Sequence, residues 1–198
     1  MVRELSNDAA LRGKVIPLAF HVDYWDRLGW RDPFSAADWT RRQQVYAAAL
    51  HLPSAYTPQM VVNGERQFVG SNAHALDAAL AEESKQAPFG TVRVSVSRGA
   101  ALRVAVNAKV TSPQPADVVL AVFENGISTK VTAGENDGRT IDNEAIVRRL
   151  LRVGTGSVDT TVSIPLDKSW NAARLGVVVF LQDRKTLAIR GAAVAPAG

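Results

Sequence analysis

His21, Asp23, Asp26 and Asp32 form the densest group of oxygen and nitrogen donors in the sequence. On a continuing strand His21 and Asp23 would share a face, because strand side chains alternate with a period of two. One imidazole with carboxylates suits a divalent cation, and through it a metal-dependent hydrolase. The spacing matches no established ligand pattern, however. The same residues read as a loop pinned by Asp side chains that accept backbone N–H bonds, with Tyr24, Trp25 and Trp30 packed as a plug. We expect that second arrangement, with no metal and no other cofactor.

Other reactive residues are isolated. His51 and His74 have no Ser and Asp at a spacing that implies a triad. Gly134-Glu135-Asn136-Asp137-Gly138-Arg139 carries two glycines but lacks the strand–loop–helix setting of a phosphate loop. It reads as a turn whose polar side chains bond their own backbone, with Glu135 and Arg139 as an exposed pair. The sequence contains no cysteine. As given, it therefore has no thiolate nucleophile, no disulfide and no Cys-ligated zinc, and we expect no catalytic residue in it.

The net charge of +4 is mostly arginine and is spread along the chain. Only Arg41-Arg42 and Arg148-Arg149 are adjacent, and Arg152 extends the second pair. A nucleic-acid binder concentrates basic residues on one face and interleaves aromatics for stacking, so no nucleic-acid partner is expected. No apolar run approaches the ~18 residues of a membrane span. Met1 to Asp8 shows no basic stretch followed by an apolar one, so the given chain is read as carrying no signal peptide.

The elements that would position these residues follow from periodicity. Val2 to Leu11 reads as the tail of a helix stopped by Gly13, and Lys14 to Val22 as a buried strand. Asp23 to Phe34 is a loop. Ser35 reads as the cap of a helix from Ala36 to about Leu50. Met60-Val61-Val62 is a short strand, Asn63-Gly64 a two-residue hairpin turn, and Arg66 to Val69 the return strand. A helix over Asn72 to Ser84 closes this half, and Lys85 to Gly90 is the boundary.

Beyond it the period becomes two. Val92, Val94 and Val96 alternate with polar residues, as do Leu102, Val104 and Val106. Further strands are expected over Asp117 to Glu124, Ser157 to Ile164, Arg174 to Gln182 and Thr186 to Val194. Asn143 to Val153 also fits a helix, and a strand is preferred. Short strands separated by turn signals indicate a β-sandwich.

Three segments carry a resemblance: His21-Val22-Asp23-Tyr24-Trp25-Asp26, Gly29-Trp30-Arg31-Asp32-Pro33-Phe34, and Tyr56-Thr57-Pro58-Gln59-Met60-Val61-Val62-Asn63-Gly64. They resemble a family of bacterial exported thioredoxin-like proteins, catalogued only as a domain of unknown function. Gly134 to Arg139 and Val177 to Asp183 look like that family's C-terminal half.

The resemblance implies an α+β chain, with an incomplete thioredoxin-like domain over residues 1–87 and an antiparallel β-sandwich over 88–198. Family members begin with an export signal, a first strand and a Cys-X-X-Cys motif that opens the first helix. The given chain starts inside that helix, as an N-terminally truncated member would. The absent strand would lie between the Val15–Phe20 and Met60–Asn63 segments, leaving this half the less stable one. A full-length form would be a thiol-disulfide oxidoreductase-like protein, periplasmic or secreted, whereas the chain as given is redox-inactive. Thr57-Pro58 stands where thioredoxins carry a cis-proline. An ordinary trans bond is the alternative, since only ~5–6% of X-Pro bonds are cis. Tyr56, Thr57 and Pro58 would form a ledge that presents backbone to an extended peptide or an envelope protein.

Overall fold

A computed structural model describes residues 2–11, 13–134 and 137–197. Two antiparallel sheets of four and three strands dominate it. The three-stranded sheet contains β3 (Gly90–Arg98), β4 (Ala101–Val110) and β9 (Val158–Pro165), in the order β3-β4-β9. The four-stranded sheet contains β5 (Ala116–Glu124), β8 (Ile146–Thr155), β10 (Leu175–Asp183) and β11 (Ile189–Pro196), in the order β11-β10-β5-β8. β6 (Ile127–Lys130) and β7 (Thr140–Asn143) form a separate ribbon.

Alternation dictates which side chains enter the core. Leu102, Val104 and Val106 of β4 meet Val118, Leu120 and Val122 of β5 and Val177, Val179 and Leu181 of β10 in one apolar cluster. β5 and β10 are apolar almost without interruption because their second face is covered too. There Val119, Ala121, Phe123, Val178 and Phe180 pack with Trp39 from the N-terminal region. Continuous apolar runs are what burial on both faces of a strand requires.

The N-terminal region comprises α1 (Val2–Asn7), α2 (Ala37–Ala49), the hairpin β1 (Gln59–Val62) and β2 (Arg66–Val69), and α3 (Ala73–Glu83). A third, small core joins Leu5 of α1, Val62 of β1 and Leu76 and Ala79 of α3. Ser84 to Phe89 connects α3 to β3.

Several local expectations are corrected. Lys14 to Val22 is not a strand, and Lys14 belongs to the turn that follows α1. Only Ala19 bridges, in parallel with Ile146, through Ala19 N–H to Ala145 O at 2.8 Å and Val147 N–H to Ala19 O at 2.9 Å. Ile16, Leu18 and Phe20 pack on the outer face of β5 and β10. Their apolarity comes from that burial; a strand also needs ladder partners, and this segment has a single bridge.

Ser35 does not cap α2. Ala36 occupies the cap position without a side-chain bond, and Ser35 Oγ donates to Asp26 Oδ2 at 2.6 Å instead. Asn72 does cap α3, accepting from Ala75 N–H at 3.0 Å.

The hairpin turn has three residues, not two. Val62 pairs with Arg66, leaving Asn63, Gly64 and Glu65 between the strands. Asn63 and Gly64 take φ of 49° and 74°, and a Cβ on Gly64 would lie 2.1 Å from Leu187 O. Glycine is thus required there by conformation and by space alike. The added residue, Glu65, grips Arg190 of β11 through three bonds of 2.8 to 3.0 Å.

β6 and β7 were not anticipated, being short and polar. The turn at Gly134 is borne by Asp137 N–H to Gly134 O at 3.1 Å, while Glu135 and Asn136, and with them the pair Glu135–Arg139, lie outside the described residues. No described helix is long and apolar enough to cross a membrane.

Candidate functional site

The loop from Val22 to Phe34 is held by its own carboxylates. Asp23 Oδ1 accepts from Thr40 Oγ1 at 2.6 Å, which fastens the loop to α2. Asp26 accepts from the Asp32 backbone N–H at 3.2 Å and from Ser35. Asp32 accepts from Phe34 N–H at 2.8 Å, and its second oxygen lies 2.6 Å from His21 Nδ1. Burial alone would raise the Asp32 pKa. The bonds from His21 and Phe34 outweigh it and hold the carboxyl below the usual carboxylate range. Among the described residues no three His, Asp or Glu groups converge as a metal site would require. The carboxylates serve the loop's own architecture.

The aromatics behave differently from a plug. Trp30 lies half-buried against Gly134, and the Tyr24 and Trp25 rings pack at 5.4 Å. Trp25 is 48% exposed, however. Its Nε1–H donates to Thr57 Oγ1 at 2.8 Å, laying the indole beside the Thr57-Pro58 step. A side chain with one polar atom can be anchored by that atom while its apolar surface stays in solvent.

The structure therefore joins the aromatic loop and the Tyr56–Pro58 segment into one surface. Tyr24 Oη donates to Gln43 Oε1 at 3.1 Å. Gln43 Nε2 in turn reaches Tyr56 O at 2.7 Å and Gln59 Oε1 at 3.0 Å. The Tyr56 hydroxyl bonds to Gln67, and burial pushes its pKa upward. Gln43, Gln59 and Gln67 were not singled out from sequence. Gln59 and Gln67 are diagonal neighbours on one face of the hairpin, which the register of the turn would have indicated. Gln43 carried no such signal.

The Thr57–Pro58 peptide is cis, and both residues are exposed. Pro58 O accepts from Gly70 N–H at 2.8 Å, so the antiparallel alternation turns the backbone groups of Met60 and Val62 toward β2. Those of Gln59 and Val61 face the other way. Among the described residues they have no backbone partner. This free edge begins directly after Thr57 and Pro58.

A mixed α/β chain with antiparallel sheets and this loop-and-edge surface is the class that the geometry defines. The chain belongs to the DUF1223 family, described as proteins of unknown function, whose model matches residues 1–182. A crystal structure of an Agrobacterium tumefaciens protein is similar, with a TM-score of 0.75 and 25% identity, covering 100% of this chain and 85% of that one. The structure of HBP35 of Porphyromonas gingivalis is similar in fold, with a TM-score of 0.61 and 15% identity over 80% of this chain and 58% of that one. No curated protein matches the chain.

Proposed function

We propose that this is a thioredoxin-like binding module, redox-silent in the sequence given, that takes up an extended peptide along the ledge formed by Tyr56, Thr57 and Pro58. In this reading residues 1–87 form the thioredoxin-like unit, 88–198 form a β-sandwich that supports it, and both work in the periplasm or outside the cell. The order of helix, extended segment, helix, X-Pro step, hairpin and helix supports the thioredoxin-like assignment.

One observation carries the binding assignment: the exposed cis Thr57–Pro58 step lies beside the exposed Trp25 ring, whose Nε1–H donates to Thr57 Oγ1 at 2.8 Å. An exposed extended segment can present its backbone to an added strand. Backbone bonds then supply affinity, and side-chain contacts supply selectivity. Trp25, tied down through Thr57, offers an aromatic surface whose rotamer is already restricted, which lowers the entropy lost on binding. Thiol exchange would need a thiolate, and this sequence has no cysteine.

A random dodecapeptide display selected against the protein tests the proposal. The selected peptides should bind in a one-to-one complex. Trp25→Ala removes the exposed ring beside the Thr57–Pro58 step and should weaken binding about tenfold. Thr57→Val removes the hydroxyl that holds the indole and should weaken it several-fold. Equal binding by wild type and Trp25→Ala, with the fold of both verified by circular dichroism, would dispose of the ledge as the site.

A further inference from the structure

Apolar side chains scattered singly over a protein surface are normal and need no partner. Two of the exposed ones here are neighbours of a single backbone step. Trp25 and Val69 are each 48% exposed, and both border Thr57–Pro58. Trp25 is fixed there by its bond of 2.8 Å to Thr57 Oγ1. Val69 is fixed by the hairpin ladder, in which it lies directly opposite Gln59. The next residue, Gly70, donates its N–H to Pro58 O at 2.8 Å. A Cβ on Gly70 would stand 3.2 Å from the Pro58 Cβ, so β2 ends against the proline.

The register also fixes the side on which these groups stand. Directly opposed residues of an antiparallel pair project to one face, so Val69 shares a face with Gln59. Gln59 bonds to Gln67 on that face at 3.4 Å and to Gln43 of α2 at 3.0 Å. Gln43 holds the Tyr24 hydroxyl at 3.1 Å, and the Tyr24 ring packs against Trp25. A chain of contacts thus runs from Val69 through the glutamines to Trp25. Pro58, itself exposed, falls between Thr57, which holds Trp25, and Gln59, which pairs with Val69.

Every residue in that chain of contacts is uncharged, and the nearby charges are engaged elsewhere. Alternation sends Arg66 to the opposite face of β2, where it meets Glu83 of α3 at 3.1 Å. Glu65 in the turn is held by Arg190. Asp23 accepts from Thr40, while Asp26 and Asp32 bond within their own loop. Arg27 is exposed, and its Nε–H donates to Tyr24 O at 3.2 Å. What borders the step is an indole, a pyrrolidine ring, a branched aliphatic group and neutral amides.

Resting on the reading of this ledge as a peptide site, we infer that it selects uncharged, extended segments with apolar side chains at alternate positions. Side chains two residues apart on an extended segment project to one side. One packs on the Trp25 ring and the other on Val69, with the Pro58 ring between them. Each gains by leaving water. A Lys, Arg, Asp or Glu in either place would be desolvated with no opposite charge among these contacts to meet it. The substrate class is therefore an apolar stretch of extended polypeptide and not a charged motif.

The test analyses the composition of the displayed dodecapeptides that the protein enriches, then titrates the most enriched one, synthesised with a fluorescent label, against the full chain. Enriched peptides should carry Val, Ile, Leu or Phe at positions i and i+2 and be depleted in Asp, Glu, Lys and Arg. Affinity should change less than about twofold between about 0.05 and 0.5 M NaCl, because screening acts on charges and spares apolar contacts. Val69→Lys, at an exposed position that the fold tolerates, should weaken binding about tenfold. Arg27→Gln should leave it within about twofold. Enrichment of charged residues, a loss of about tenfold at high salt or in Arg27→Gln, or unchanged binding by Val69→Lys would each overturn this selectivity while leaving the ledge as a peptide site. A library that yields no binder would overturn both.

Discussion

The two-sheet region and the N-terminal region solve the same problem by different means. In the first, seven strands pair through long ladders interrupted by a few bulges, and their side chains share one core. In the second, the β1–β2 hairpin is the only ladder among the described residues, and the Lys14–Val22 segment makes a single bridge. Beyond the small core of Leu5, Val62, Leu76 and Ala79, much of what holds the N-terminal region is borrowed. Trp39 and Phe20 lean on the outer face of β5 and β10, Gln182 donates to Tyr46 at 2.7 Å, and Arg190 grips Glu65. The contrast teaches that a region can be ordered by docking while leaving its own strand edges open. Open edges are where partners can add. The more self-sufficient region is the scaffold, and the dependent one carries the candidate peptide surface.

The contrast should be clearest in a core substitution. Leu120→Ala empties a fully buried position between the two sheets, and should lower the unfolding free energy by about 4 kcal/mol in urea denaturation. Amide-exchange protection should fall in both regions, because the docked region has only a small core of its own. Protection lost in the two sheets but kept in α2 would reverse the dependence argued here.

Trp39→Ala addresses the docking itself. It should cost about 3 kcal/mol and raise exchange in α2 and the hairpin, while β4 and β5 keep most of their protection. A uniform loss across the molecule would erase the distinction between the regions.

The smallest effect is expected at Asp32. Its folded pKa is lowered, so the ionised group contributes stability that is present above the ordinary carboxylate pKa of about 3.9 and lost as pH falls through the folded value. Asp32→Asn should cost about 1–2 kcal/mol at neutral pH, and that cost should shrink on acidification below about pH 4. Urea midpoints at pH 7 and pH 3 provide the measurement. A cost that is the same at both would mean that shape rather than charge is what the loop needs.

Elements whose own residues carry their instructions were legible from sequence. The alternation of Leu102, Val104 and Val106 located β4, and Asn72 marked the start of α3. Asn63 and Gly64 marked the hairpin, though the turn took a third residue so that Glu65 could meet Arg190. Lys14 to Val22 was misread because an apolar run reports burial but not hydrogen-bond partners. β6 and β7 were missed because four-residue polar strands have too few alternations to register.

The candidate surfaces divide in the same way. Tyr56, Thr57 and Pro58 and the residues of the aromatic loop were visible as separate segments. Only the fold laid Trp25 against Thr57. Gln182 and Tyr46 make the point most sharply, since their hydrogen bond joins residues 136 positions apart. Sequence alone settled the local matters: which residues alternate in β4, where the hairpin falls, and the absence of any thiol. Tertiary structure decided everything that depends on two distant segments meeting, because a ladder bond, an ion pair or a cleft wall exists only when its second partner is brought within a few ångströms.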